Sequence, residues 1–409
     1  MSISTINSYI FIVAIGLFAS VADLALGRAG LMPIQPTYLA LATLVGLAAF
    51  EALLSYQNPT EQRIRLQVVK ENTPVLLLYC VVAFTSLLCG LLPGAEWTEG
   101  GRWMFVISLG MVLWTATMFI AASPAFSTAG MRGVRLAWAA LIGSTIYEMF
   151  YPATFSNLAA RPAGFAGNAN FGALASSMLC AASLYYRPRT HLLPDIAMLS
   201  LSFISVLATQ SRSGLLELGI VASAWFAILI FELRNSPLVL VKTLVAMTCS
   251  GAVLAVSLVV VFTQSEVFSN ESSRFAKILS GKQVDDGSGD ERISAAADTL
   301  ERIAESPVLG HGTGFSRNLR TLPHNIYLQQ WLNNGLLGVL GYTSMLICGA
   351  VLSARARFIP GLVFSVMTLV AGFFSHNILD QKSFILPFAV LLASSAVQSA
   401  HRRSGGTSI

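Results

Sequence analysis

Apolar runs recur along nearly the whole chain, separated by short polar stretches, and their length decides what they are. A hydrocarbon core about 30 Å thick is crossed by about 20 apolar residues in a helix. Windows of that length fall near residues 8 to 26, 37 to 55, 74 to 92, 103 to 122, 134 to 153 and 168 to 186. Six more fall near 192 to 209, 214 to 231, 238 to 262, 325 to 352, 358 to 378 and 382 to 399. A bilayer solvates no backbone polar group, and these runs far exceed the roughly ten residues of a barrel strand, so helices are expected. The pattern predicts an all-α polytopic membrane protein of about twelve transmembrane helices. Its expected parts are helices one to nine over 1–262, an external loop over 263–323, and helices ten to twelve with a short tail over 324–409. The membrane domain is expected to be the whole protein. Ser20-Val21-Ala22 loosely resembles a cleavage site, but no Lys or Arg precedes it, so span one is read as a retained helix.

Composition excludes a soluble fold. The chain is 55% hydrophobic and 11% charged, against about 25% charged in soluble domains. The distribution of Lys and Arg then orients it, because short cytoplasmic loops retain positive charge. Even-numbered loops and the tail hold Arg63, Arg65, Lys70, Arg132, Arg135, Arg187, Arg189, Arg234, Lys242, Arg355, Arg357, Arg402 and Arg403. The short odd-numbered loops hold Arg28, Arg102, Arg161, Arg212 and Lys382. Both termini are therefore expected in the cytoplasm and the long loop outside. The net charge of +5 reports that topology and gives no reason to invoke nucleic acid. Cys80, Cys89, Cys180, Cys249 and Cys348 fall inside apolar spans without CxxC spacing, which suits helix packing better than disulfides or zinc.

Within the long loop, residues 293–305 have helical periodicity, with Ile293, Ala296, Ala297, Leu300 and Ile303 on one face. The stripe predicts a helix packed on the bundle or lying on the bilayer surface, the former preferred. Pro307, Gly310, Gly312 and Gly314 then break the helix, and Pro323 precedes span ten. The acidic stretch 285–291 lacks the alternating spacing of a calcium loop, so no metal is expected, and no nucleotide fingerprint is present.

Charges at membrane depth are costly, so each is a functional candidate. Asp23, Glu148 and Glu217 lie toward outer span ends, where snorkelling or a salt bridge to a nearby Arg accounts for them. Arg161, Arg212, Arg292 and His324 are expected together on the external face. Arg carries a planar fork of donors that pairs with phosphate, so converging arginines suggest a phosphate or diphosphate headgroup; anchoring among lipid phosphates is the competing account. His324 is a candidate base for a sugar hydroxyl if it stays neutral, and nearby arginines favour that state. His311 and His376, the latter ahead of Asn377 and Asp380, are rivals on the same face. Asn168 and Asn170 either cap span six or bind a glycan.

HNIYLQQWLNNGLLG, residues 324–338, closely resembles the signature of the O-antigen ligase and polymerase superfamily. RISAAADTLERIAESPVLGHGTGF (292–315), RPAGFAGNANFGALA (161–175) and TQSRSGLLEL (209–218) resemble further stretches of it in the expected order. His311 departs from the resemblance, standing where a small apolar residue is usual, and an extra polar role is open there. The resemblance implies a GT-C-like, metal-independent inverting glycosyltransferase of the bacterial inner membrane, working on the periplasmic side without a cofactor. By matched motif His324 is the base, and Arg161, Arg212 and Arg292 hold the diphosphate of an undecaprenyl-diphosphate glycan. Asn168, Asn170, Asn325 and Tyr327 are further substrate-binding candidates, with His311, His376 and Asp380 ranked below. Three acceptors compete within the superfamily: lipid A-core, a second lipid-linked glycan, and serine or threonine of proteins. The protein-modifying branch tends to carry an extra C-terminal region, which argues against it here, and the lipid A-core ligase is favoured over the polymerase. A glycolipid transporter is the alternative of another class. It is disfavoured because transporter sites sit near the midplane between repeats, whereas these polar groups gather at outer helix ends.

Overall fold

The computed structural model describes residues 3–32, 35–95, 100–156, 161–236, 238, 241–243, 245 and 288–403. All regular structure among them is helical. In chain order the helices are α1 (Ile3–Ala19), α2 (Ala22–Arg28), α3 (Pro36–Tyr56), α4 (Pro59–Cys89), α5 (Gly100–Ala121), α6 (Pro124–Phe150) and α7 (Ala169–Ser183). They continue with α8 (Pro188–Ala208), α9 (Arg212–Leu233), α10 (Ser288–Glu305), α11 (Ile326–Arg355), α12 (Ile359–Ala371) and α13 (Lys382–Arg403). Proline at the first turn of α3, α4, α6, α8 and α12 fixes φ where no N–H partner is needed, and Asn58 and Ser123 cap α4 and α6.

Six of these helices are long and apolar enough to cross a membrane, and a seventh span arises if the α1–α2 pair is counted as one. The fold is thus a polytopic helical membrane protein. The predicted first span is two helices bent by 65°, with Val21 in a left-handed backbone conformation between them. Residues 246–287, which hold most of predicted span nine, the first part of the long loop and the start of the acidic stretch, lie outside the described residues.

The core forms around α13, which packs against α1, α4, α5, α6, α7, α11 and α12 and is buried over most of its length. Helix α7 is buried from Gly172 to Ser183, and its small residues let neighbours approach closely. At Gly214 an added Cβ would come within 2.5 Å of the Ala173 Cβ, so α9 can lie against α7 only as glycine there. Large apolar side chains such as Leu53, Leu77, Phe84 and Phe231 point outward, as lipid-facing surfaces do.

Several charges stand elsewhere than the loops suggested. Arg63, Arg65 and Lys70 ride on α4, because the helix begins well before the apolar run. Arg65 is buried, donates to Glu51 and Glu61 at 2.9 Å each, and donates to the Phe119 and Ile120 carbonyls. Asp23 does form a salt bridge, with Lys382 rather than an arginine. Cys80, Cys89, Cys180 and Cys348 are free thiols, and Cys249 lies outside the described residues.

The loop helix α10 packs on α11, by a face that keeps Ile303 of the predicted stripe but not Ile293 or Leu300. Ala295, Thr299 and Ile303 are buried, whereas Ile293 and Leu300 are 71% and 51% exposed. Small Ala295 and Thr299 share the crowded side with Ile303, and Ile293 and Leu300 face outward, where a bilayer surface would receive them.

Candidate active site

One end of the bundle is organised by a buried carboxylate. Glu148 near the end of α6 accepts from the Phe155 and Ser156 amides through Oε1, at 2.9 and 2.6 Å. Its Oε2 accepts from the Ala163 and Gly164 amides at 2.7 and 2.8 Å. Four backbone donors, where snorkelling or a salt bridge was expected, draw Phe155, Ser156, Ala163 and Gly164 into a tight cover over the end of α6.

That cover delivers Arg161, whose Nε donates to the Thr209 carbonyl at 3.0 Å and whose Nη2 donates to Asn170 Oδ1 at 2.9 Å. Thr209 belongs to the turn between α8 and α9, where Gln210 takes a φ of 55°. Ser211 caps α9 through the Gly214 amide, and Arg212 opens the helix with an exposed side chain. Arg161 and Arg212 therefore flank one short turn. Asn168 caps α7 through the Asn170 and Phe171 amides, so of its two readings the structure shows the cap.

The stretch opening α11 divides its labour. Asn325 caps the helix through the Tyr327 and Leu328 amides. Tyr327 donates to the Leu369 carbonyl and packs against Tyr342 and Phe373, which ties α11 to α12. Gln330, Asn333 and Asn334 are buried and hold down the glycine-rich segment. Asn333 Oδ1 accepts from the Ser316 amide at 2.8 Å, and Asn334 bonds Thr313, Ser86 and Gln330. His311 is also held structurally, with Nε2 2.7 Å from the Arg302 carbonyl and its ring stacked on Phe315.

His324, one residue ahead of the cap, lines a cavity of about 230 Å³ together with Arg292, His376, Asn168, Asn170, Ser213, Glu217 and Asn377. The His324 and His376 rings meet edge to face, 5.2 Å between centroids. Burial, then the Arg292 cation, lower the His324 pKa below its usual value, with Glu291 opposing. His376 is pushed down to about 4 by burial, with His324 and Arg317 adding to it. Both imidazoles are thus held neutral at ordinary pH, as a proton acceptor must be. Asp380 lies apart from this cavity, in a neighbouring one of about 350 Å³ with Arg317 and Lys382. Burial raises its carboxyl to about 7, against the pull of Arg317.

The geometry thus brings His324, Arg292, His376, Asn168 and Asn170 to one cavity, with Arg161 bonded to its Asn170 wall. Arg212, Tyr327, Asn325, His311 and Asp380 are not among the residues lining it. Sequence reading gave Glu217 only a structural role. It is buried, lines the cavity, and leaves Oε2 without a hydrogen-bond partner. Arg317 was not singled out, since a basic residue in a long loop carries no topological signal.

Residues 197–343 match the O-antigen ligase family model. Over this segment the chain is similar to the O-antigen ligase family, which supports the resemblance carried by the motifs. The matched span includes Arg212, Arg292, His311, His324, Asn325 and Tyr327, and stops short of His376 and Asp380. Arg161, Asn168 and Asn170 precede it. No curated protein matches the chain in sequence. That family acts on glycan and lipid substrates in general and suggests a glycosyltransferase-like enzyme of the ligase and polymerase type.

Proposed function

We propose that the protein is an O-antigen ligase that moves a glycan from undecaprenyl diphosphate to lipid A-core. The observation that carries this reading is the shared cavity of His324 and Arg292, at helix ends within the matched segment. The acceptor hydroxyl gives its proton to an imidazole nitrogen of His324, and its oxygen attacks the anomeric carbon. The bond from that carbon to the diphosphate oxygen breaks on the opposite face, its electron pair leaving on the diphosphate, with inversion. Arg292, Arg161 and Arg212 supply fixed donors where that charge develops; one such donor is worth about 3 kcal/mol in comparable sites. The diphosphate is already an activated leaving group, so no cofactor or metal is required by the chemistry. In this proposal the protein lies in the bacterial inner membrane with both termini cytoplasmic and the His324 end in the periplasm, as the Lys and Arg distribution supports.

Reconstitution in liposomes with undecaprenyl-diphosphate glycan tests the assignment, offering lipid A-core or a second donor molecule as acceptor. Extension of lipid A-core is expected. Extension of the second donor alone would make the enzyme a polymerase, and transbilayer movement without a new glycosidic bond would make it a transporter.

A further inference from the structure

Helix α7 begins at the His324 cavity and α12 ends a few residues short of it, and their opposite ends meet α6 and α13 around a second site that shares no lining residue with the first. There α6 begins, α7 ends, α12 begins and α13 ends, around a cavity of about 270 Å³ that includes Arg135, Tyr185, Arg187, Arg357, Ser394 and His401. An adjoining cavity of about 550 Å³ adds Arg234 and Arg402 and shares Tyr186, Arg187, Arg357 and Gln398 with the first. Five arginines thus converge, and Glu232 is the one acidic residue in either lining.

This is more than a scatter of basic helix ends, because the walls are fixed. The Arg135 Nε donates to the Ser183 carbonyl at 3.1 Å, and its guanidinium lies 3.8 Å over the Tyr185 ring. The turn carrying Tyr185 and Tyr186 is pinned by Asp195, which accepts from both amides at 2.8 and 3.1 Å and from Trp225 Nε1 at 2.9 Å. Arg402 donates to the Ala356 carbonyl at 3.0 Å, beside Arg357. Gln398 Oε1 is buried without a hydrogen-bond partner. The rest of the first cavity is apolar, with Met131, Leu184 and Val397 among its walls. Guanidinium forks over an apolar floor, with Arg135 and Arg402 held in place and Arg187 and Arg357 at the exposed rim, match an anion that carries hydrocarbon.

We propose that this end of the bundle binds an anionic phospholipid, its phosphate among Arg187, Arg357 and Arg135, and an acyl chain along Met131 and Val397. An unmet acceptor at Gln398 suits a headgroup hydroxyl, as phosphatidylglycerol provides. The site is independent of glycan transfer and stands whatever the acceptor there is.

The test is native mass spectrometry of the full-length protein released from mixed micelles containing phosphatidylglycerol or phosphatidylcholine, with inorganic phosphate as a third arm. Phosphatidylglycerol should be retained with a preference of about tenfold, in line with two or more basic contacts near a lipid surface. Arg187→Gln/Arg357→Gln should abolish that preference while the thermal midpoint in lipid-free detergent is unchanged. Arg357→Gln alone, at an exposed turn, should weaken it several-fold. Equal retention of both lipids by the unaltered protein overturns the proposal, as does an undiminished preference in the variants. Displacement of the lipid by millimolar inorganic phosphate would reassign the site to a free anion.

Discussion

His324 owes its reactivity to what stands around it. Burial and Arg292 disfavour the imidazolium, so the acid limb of glycan transfer should lie below the ordinary histidine value of about 6.5. Removing the cation reverses part of the shift: Arg292→Ala should move that limb upward, toward 6.5, in a pH profile of initial rates. A limb unchanged by the substitution would separate Arg292 from His324. For the turn that carries Arg212, Arg212→Lys retains the charge and loses the planar fork, so a transfer rate about tenfold lower is expected if recognition is bidentate. A fully active variant would show the fork unimportant there. At this scale the sequence was informative about chemistry and less so about the division of labour. His324 and Arg292 were readable because a motif marked them, and they do share a cavity. Asn168 and Asn325 cap their helices, a role the sequence does not separate from ligand binding because both use the same side chains, and Asn168 also lines the cavity. Glu217 was missed because a carboxyl near a span end has a bland explanation, and its missing partner is visible only in three dimensions.

Individual elements are held by a few polar devices. Glu148 satisfies four amides of the cover before α7, and Glu148→Ala would leave buried donors unmet, costing about 3 kcal/mol and detaching Arg161. A lowered thermal midpoint and faster proteolysis between residues 150 and 167 would register this, and an unaltered midpoint would contradict it. Helix α11 breaks at Gly335, whose φ is 64°, and an added Cβ would lie 2.1 Å from the Val308 carbonyl oxygen. Gly335→Ala should therefore loosen the segment from 306 to 318 and reduce stability, read again as a fall in midpoint. The break was not legible in sequence, since a glycine inside an apolar run reads as ordinary helix packing. The α10 stripe was misjudged for a related reason. Periodicity finds a helix and its apolar positions, but Ala295 and Thr299 pack because they are small, leaving Ile293 and Leu300 outward.

Across the whole molecule, hydropathy gave the helical membrane class directly, because apolar runs this long fit helices and exceed the strands of a barrel. It did less well on span boundaries. Helix α4 begins 15 residues ahead of its predicted apolar run at residue 74, since charged Arg65 is buried against Glu51 and Glu61 instead of lying in a loop. The bundle that results has a polar cavity at each end, one with neutral imidazoles beside Arg292 and one ringed by arginines. The first of these is the proposed place where a glycan leaves its diphosphate. The most direct test is transfer from undecaprenyl-diphosphate glycan to lipid A-core by proteoliposomes carrying the unaltered protein or His324→Ala, with donor binding measured in parallel. A rate at least about a hundredfold lower is expected in the variant, as loss of a general base entails, with donor affinity preserved. Transfer by His324→Ala at the unaltered rate would contradict that assignment.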